Sequence, residues 1–313
     1  MLRTFFRNTL LVGIATLLFS CTPETPASDP TTSEPEIDPT LTGTIVVGDV
    51  TSQPAKKIKR FQPLADYLAA NLGEFGIGVG EVKVAPDVET MASLLESGEV
   101  DVYFDSPFPA MIVSDLSGAE PILRRWKGGD AEYYTVIIAM TDRGFTSLDD
   151  LNGYKIAFDD PTSTSGYVLP MVHMMEAGLN MQEKQSTNES VAPDEVGYVF
   201  SQDDQNNIQW VISDLVDAAA IDHRSFLKIP PESRKAMTVL AETEKVARHV
   251  VMVREGLDPE EVEQIKKILL AMDQSPEGQA VMEKFEETTK FDNFPTDGDI
   301  ARMRELYEKV KDR

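Results

Sequence analysis

"DDPTSTSGYVLP" (residues 159–170) sets three hydroxyl residues in a row, Ser163, Thr164 and Ser165, ahead of Gly166 and an apolar run. Before it stands "YKIAF" (154–158), apolar and of strand length. After it Met171, Val172, Met174 and Met175 can pack, until "EAGLN" stops the run at Gly178. The stretch therefore reads as a turn from strand to helix. The first N–H groups of a helix have no partner within it, and the macrodipole adds positive partial charge there, so anions are attracted. Ser and Thr add neutral donors, Gly166 permits close approach, and Pro170 sits near enough to the helix start to break no internal bond. An ordinary N-cap is the plainer reading of any one hydroxyl. Three in succession after a strand favour an anion site.

Outward from this turn, strand and helix patterns alternate. "TIVVGDV" (44–50), "EVKVA" (81–85) and "VDVYF" (100–104) read as strands, separated by helix patterns at 61–73 and 87–98. "AEPILRRW" and "EYYTVIIAM" read as a strand pair around Gly128-Gly129. A second series has strands "YKIAF", "EVGYVF" (195–200) and "VDAAAI" (216–221), with a helix pattern at 203–215. "HVVMV" (249–253) follows, and the chain then turns helical. Such alternation predicts mainly parallel sheets covered by helices, one sheet in each half.

The N-terminus reads differently. Arg3 and Arg7 precede "TLLVGIATLLFS", an apolar core too short for a comfortable membrane span, and Cys21 follows as the only cysteine. "LFSC" resembles the lipobox of bacterial lipoproteins, in which the thiol is acylated and the chain cut before it. An intramolecular disulfide is excluded. Residues 22–43 hold five Pro, eight Ser or Thr, five acids and no Lys or Arg, so they cannot bury enough apolar surface to fold. At about 3 Å per residue they read as an extended tether. The formal net charge is -24, or -26 without Arg3 and Arg7. That argues against nucleic acid and against adsorption to anionic lipid.

The hydroxyl stretch, with "RFQPLADYL", "VDVYFDSPFPAMI", "EYYTVIIAM", "FTSLDDLNGYKIAF" and "VDAAAID" in this order, resembles the phosphate, phosphite and phosphonate-binding components of bacterial ABC importers. The resemblance covers about residues 44 to 285. It implies an α/β, two-lobed periplasmic-binding fold of the second type, each lobe a mainly parallel sheet flanked by helices. It also implies the division into a signal peptide (1–20), a lipidated Cys and tether (21–43), lobe 1 (44–140 plus 247–313) and lobe 2 (141–246). Ser163, Thr164 and Ser165 resemble the family's oxyanion donors. After Phe104, Asp105 stands where many relatives carry an aromatic and Ser106 where they carry the Gly before a Pro, and Asp203 stands where many have a cleft-facing His. Asp222 ends a strand that faces the cleft, and Tyr133 is counted with it. These acids suit a protonated oxyanion or a ligand that also carries an amine.

The bland readings stand beside these. Asp105, Asp203 and Asp204 also fit solvated turn acids, Asp204 most of all. Tyr103 and Phe104 alternate to opposite faces, so at least one belongs to a core. Arg124, Arg125 and Lys127 read as a solvated cluster, and none of the three His stands in a ligand pattern. No metal spacing, catalytic triad order or P-loop is present, so neither an enzyme nor a cofactor is expected. The resemblance implies an exported, lipid-anchored monomer that hands a small oxyanion to an ABC permease. A ligand-sensing input module of the same fold is the alternative, and a hydrolase a weaker one.

Cys21→Ser is expected to release the body into soluble fractions or leave an uncleaved precursor. Fatty-acid labelling with fractionation checks this, and an unlabelled wild-type chain would end the anchoring idea. Two acyl chains would give the stable attachment that one cannot.

Overall fold

The structure, a computed structural model, describes residues 41–313. The signal segment, Cys21 and the tether as far as residue 40 lie outside them. Gly43, counted above with the tether, opens the first strand.

The N-terminal part runs β1 (Gly43–Val50), α1 (Pro54–Ala70), β2 (Ile77–Ala85), α2 (Val88–Glu96), β3 (Val102–Asp105), α3 (Pro107–Ser117) and β4 (Glu120–Lys127). The middle runs β5 (Glu132–Tyr133), β6 (Thr135–Met140), β7 (Lys155–Phe158), α4 (Leu169–Glu176), β8 (Met181–Glu183), β9 (Val196–Phe200), α5 (Asp204–Ile212), β10 (Ala218–Asp222), α6 (His223–Lys228), α7 (Pro231–Arg234) and β11 (Met237–Glu242). The chain closes with β12 (Val246–Ala247), β13 (His249–Val253), α8 (Pro259–Ala271), α9 (Pro276–Lys284), β14 (Thr288–Asp292) and α10 (Asp297–Glu308). Residue chemistry explains several boundaries. Asp87, Asp258 and Ser275 cap α2, α8 and α9 by accepting backbone N–H bonds, and Thr296 with Asp299 forms a capping box for α10. α1 begins at Pro54, seven residues before the apolar pattern starts, so Pro63 lies inside it. It buries Phe61, Leu64, Ala65 and Leu68. It lies so close on β2 that a Cβ at Gly80 would strike the backbone of Ala65.

One six-stranded sheet has the order β2-β1-β3-β13-β4-β14, the other β8-β9-β7-β10-β6-β11. β2, β1 and β3 are parallel, as are β8, β9, β7 and β10; the remaining neighbours pair antiparallel. The expected boundary at residue 140 is corrected by this pairing, since β6 joins β10 and β11 in the second sheet. β4 and β6 are likewise no hairpin. The chain changes sheet at Gly128–Ala131 and returns before β13. The crossing segments pair with each other, Tyr133 opposite Val246 and Glu132 opposite Ala247.

An aromatic cluster of Phe61, Phe104, Phe285 and Phe291 fills one side of the first sheet. Val136, Ile138, Val199 and Ile221 pack on one side of the second. A third cluster is continuous through both halves, from Met91, Tyr103 and Phe108 to Phe158, Tyr167 and Met171. α10 lies along it. Tyr307 donates to Asp115 of α3 at 3.0 Å, while Arg302 and Lys309 pair with Glu176 of α4.

Arg125 in β4 is fully buried, against the expectation of a solvated cluster. Its Nε donates to Thr288 Oγ1 at 2.7 Å, and Nη2 donates to the carbonyls of Phe285 and Glu286 at 3.3 and 3.2 Å. Its Cζ lies 4.1 Å from the Phe285 ring centroid. Burial lowers its pKa to about 10, opposed by Glu286, Asp49 and Asp105. Arg125→Met keeps the length but leaves those acceptors without a charged donor. We expect a loss of about 2–4 kcal/mol in urea unfolding. An unchanged midpoint would show that the guanidinium contributes nothing net.

Candidate functional site

The parallel strands of both sheets deliver their carboxyl ends to one cleft. β1 ends beside Asp49, β3 at Asp105, β7 just before Asp159, and β10 at Asp222. In open α/β sheets this is where ligands bind. Contacts between the two sides begin at the opening stretch of sequence.

Residues Thr164–Val168 form a π-helical turn that leads directly into α4. Thr164 Oγ1, buried, accepts the Phe108 N–H at 2.8 Å and donates to Ser106 Oγ at 3.2 Å. Pro107 and Pro109 carry no N–H, and Ala110 N–H is taken by Ser106 O. The first turn of α3 therefore has one free donor, Phe108, and it points at Thr164. Asp105 accepts from Ser106 N–H at 2.6 Å and from the Tyr103 hydroxyl. Burial raises its pKa, and these same bonds oppose the rise. Tyr133 is buried beside this group, with Arg248 Cζ 4.3 Å from its ring centroid. Burial pushes its phenol up to about 12, against Arg248 and the Thr164 and Ser106 hydroxyls.

A cavity of about 260 Å³ adjoins this contact, lined by Ser165, Lys127, Arg248, Asp204 and Asp222 among others. Thr135 Oγ1 donates to Ser165 O at 2.5 Å and fixes the turn. The backbone N–H groups of Thr164 and Ser165 have no acceptor among the described residues. Asp222 Oδ1 accepts from Arg224 N–H at 2.7 Å. Its Oδ2 is buried without a hydrogen bond, as is Arg248 Nε, although Arg248 Nη1 lies 3.5 Å from that oxygen. Burial raises Asp204 to about 6; the Ser225 hydroxyl opposes this, and Asp159 and Asp222 add to it. The cavity thus combines neutral N–H and O–H donors, four cations (Lys127, Arg224, Lys228 and Arg248) and three carboxyls (Asp204, Asp222 and Glu287). It can hold an oxyanion that carries a proton or an amine.

The structure sorts the expected residues into three groups. Ser165 and Asp222 line the cavity. Thr164, Ser106, Asp105 and Tyr133 gather at the contact beside it. Phe104, Asp203 and Ser163 need correction. Strand alternation turns Phe104 away from Tyr103 and Asp105, into the aromatic core against Phe285 at 5.0 Å. Asp203 is exposed and caps α5 through Gln205 N–H at 2.6 Å. Ser163 Oγ accepts Gly166 N–H at 3.0 Å, the plain cap. Lys127 and Asp204, read above as solvated, line the cavity as well, and so does Arg248, which the sequence reading did not single out. Period-two alternation in β4 carries a signal for the first, since it sends Lys127 to the face of buried Arg125. Arg248 directly precedes an apolar strand, a weak hint at best.

Residues 48–297 match the family model of the periplasmic substrate-binding protein of phosphonate ABC transporters. The phosphate-import protein PhnD of Mycolicibacterium smegmatis is 28% identical over 142 residues, 44% of this chain and 43% of that protein, so the match spans under half of the curated relative. XAC2383 of Xanthomonas citri, solved bound to ATP, is 28% identical with a TM-score of 0.79, covering 87% of this chain and 99% of its own. PhnD1 of Prochlorococcus marinus, solved with methylphosphonate, shares the fold at 17% identity and a TM-score of 0.59, covering 86% and 99%.

With a pKa of about 6, Asp204 is neutral in mild acid and charged above neutrality, where it adds a second negative charge beside Asp222. Inorganic phosphate is expected to bind Asp204→Asn and wild type alike at pH 5. At pH 7.5 the variant should bind about tenfold more tightly, a difference of ~1.4 kcal/mol. Calorimetry across the range checks this, and parallel profiles would remove Asp204 from the site.

Proposed function

The chain belongs to the family of periplasmic substrate-binding proteins of phosphonate ABC transporters, and we propose that it captures a small phosphorus oxyanion between its two lobes for delivery to a permease. One observation carries this reading. The unpartnered N–H and the hydroxyl of Ser165 stand at the rim of a cavity that also holds Lys127 and Arg248, with the unpartnered N–H of Thr164 one residue before them. Neutral donors at a helix start, backed by cationic side chains, suit a tetrahedral anion better than a planar or apolar ligand. Asp222, whose Oδ2 is buried without a hydrogen bond, supplies an acceptor for a P–OH group or a ligand amine. The chain performs binding without chemistry in this reading, and Cys21 anchors it at the outer side of the membrane it crosses on export.

Thermal shift and calorimetry over phosphate, phosphite, methylphosphonate, 2-aminoethylphosphonate and sulfate test the reading. At a hundred times its Kd, a ligand raises stability by about 2.7 kcal/mol. We expect one-to-one binding of at least one phosphorus oxyanion, weaker sulfate binding, and a smaller radius of gyration in solution scattering on saturation. No binding across the set would refute it.

A further inference from the structure

Glu286 stands in the short turn between α9 and β14, and three cations converge on its carboxylate. Lys57 Nζ is 2.8 Å away, while Arg60 Nη1 and Lys127 Nζ are each 3.6 Å away. Only the first distance is that of a good hydrogen bond, so Arg60 and Lys127 retain unsatisfied donors. Lys57 has a second partner in Asp49 at 3.0 Å. Lys56 and Lys284 lie nearby and form no ion pair among the described residues. In a chain of net charge -24 the five cations gathered here slightly outnumber the four carboxylates beside them, Asp49, Glu283, Glu286 and Glu287.

The turn itself is strained. Glu286 and Glu287 both have φ in the left-handed region, +46° and +57°, which non-glycine residues seldom adopt. Arg125 holds it through the carbonyls of Phe285 and Glu286, and Gly128 N–H donates to Glu287 O at 2.7 Å. The backbone is thus held in a costly form that sets one carboxylate among three cations.

The cations also line open space. A cavity of about 310 Å³ lies against Arg60, Lys127, Lys284 and Glu286, and another of about 210 Å³ lies against Lys56, Lys57 and Arg60. The first shares Lys127 and Glu287 with the interlobe cavity, and the second shares Arg60 and Glu286 with the first. The three form a row from the cleft outward, with Lys127 bordering both of the first two. Burial lowers the pKa of Lys127, as does Arg125, which Glu286 only partly offsets.

We propose that Lys57, Arg60 and Lys127, gathered around Glu286, form a second anion subsite continuous with the interlobe cavity. The ligand class is then molecules with two neighbouring anionic groups, such as diphosphonates or organic diphosphates. Glu286 is the resident counter-ion, leaving Arg60 and Lys127 with donors for a second phosphoryl group. This rests on the oxyanion reading of the first cavity.

Calorimetry on the whole protein compares methylphosphonate with methylenediphosphonate, which differ by one phosphonate group. The diphosphonate is expected to bind one-to-one and at least about tenfold more tightly. Arg60→Gln, at a half-exposed position outside the first cavity, should bring that advantage below about threefold and leave methylphosphonate binding unchanged. Glu286→Gln should widen the advantage; if it fails to fold, Arg60→Gln still decides. Methylphosphonate binding with no gain from the second group, or a gain that survives Arg60→Gln, overturns the subsite and leaves the first reading standing. Two phosphate ions bound per chain, with no gain when the groups are linked, also overturns it. If neither phosphonate binds, the oxyanion reading falls and the subsite falls with it.

Discussion

A single buried guanidinium organises the first lobe around the cleft. Placing Arg125 out of water is costly, and the cost is offset only where its hydrogen bonds are made. Those bonds go to residues 285, 286 and 288, some 160 positions along the chain. They draw the turn after α9 against β4, and with it Glu286 against Lys57 and Lys127. The C-terminal part of the chain is thereby tied into a lobe that the N-terminal part begins. It adds to what already holds β14, namely the pairing with β4, the burial of Phe291 and the Arg124–Asp292 ion pair.

The cleft is also selective about where it leaves donors free. At α3 two prolines strip the helix start of N–H groups, and the one that remains is taken by Thr164. At the π-helical turn, two N–H groups and the Ser165 hydroxyl remain. The two helix starts are alike in following a strand, α3 directly after β3 and the π-helical turn after a five-residue loop from β7, and opposite in role. One docks the lobes and the other faces the cavity. The acids divide in the same way: Asp105 spends its oxygens on Tyr103 and Ser106, whereas Asp222 keeps one oxygen without a hydrogen bond.

Much of this was legible in the residues because strand and helix periods are local. The turn at 159–170 could be read from "YKIAF", three hydroxyls and a methionine-rich run. Sheet membership could not, because "EYYTVIIAM" has the same period whichever sheet it joins. Asp203 and Asp204 are equivalent acids in sequence. One caps α5 and the other lines the cavity because the helix starts between them. The burial of Arg125 was invisible for a different reason, since two of its acceptors are backbone carbonyls that carry no sequence signature and the third, the Thr288 hydroxyl, lies far along the chain.

The last helix carries a mechanical consequence. α10 lies along α3 of one lobe through Tyr307 and reaches α4 of the other through Arg302 and Lys309. Any motion that parts the lobes must either separate Glu176 from those two cations or lift α10 off α3. The ion pairs are exposed, so dissolved salt weakens them, whereas the apolar seam against Phe108 is indifferent to it. The stiffness of the molecule is therefore set partly on its rim, by the ionic strength of the surrounding medium, and not by the ligand alone.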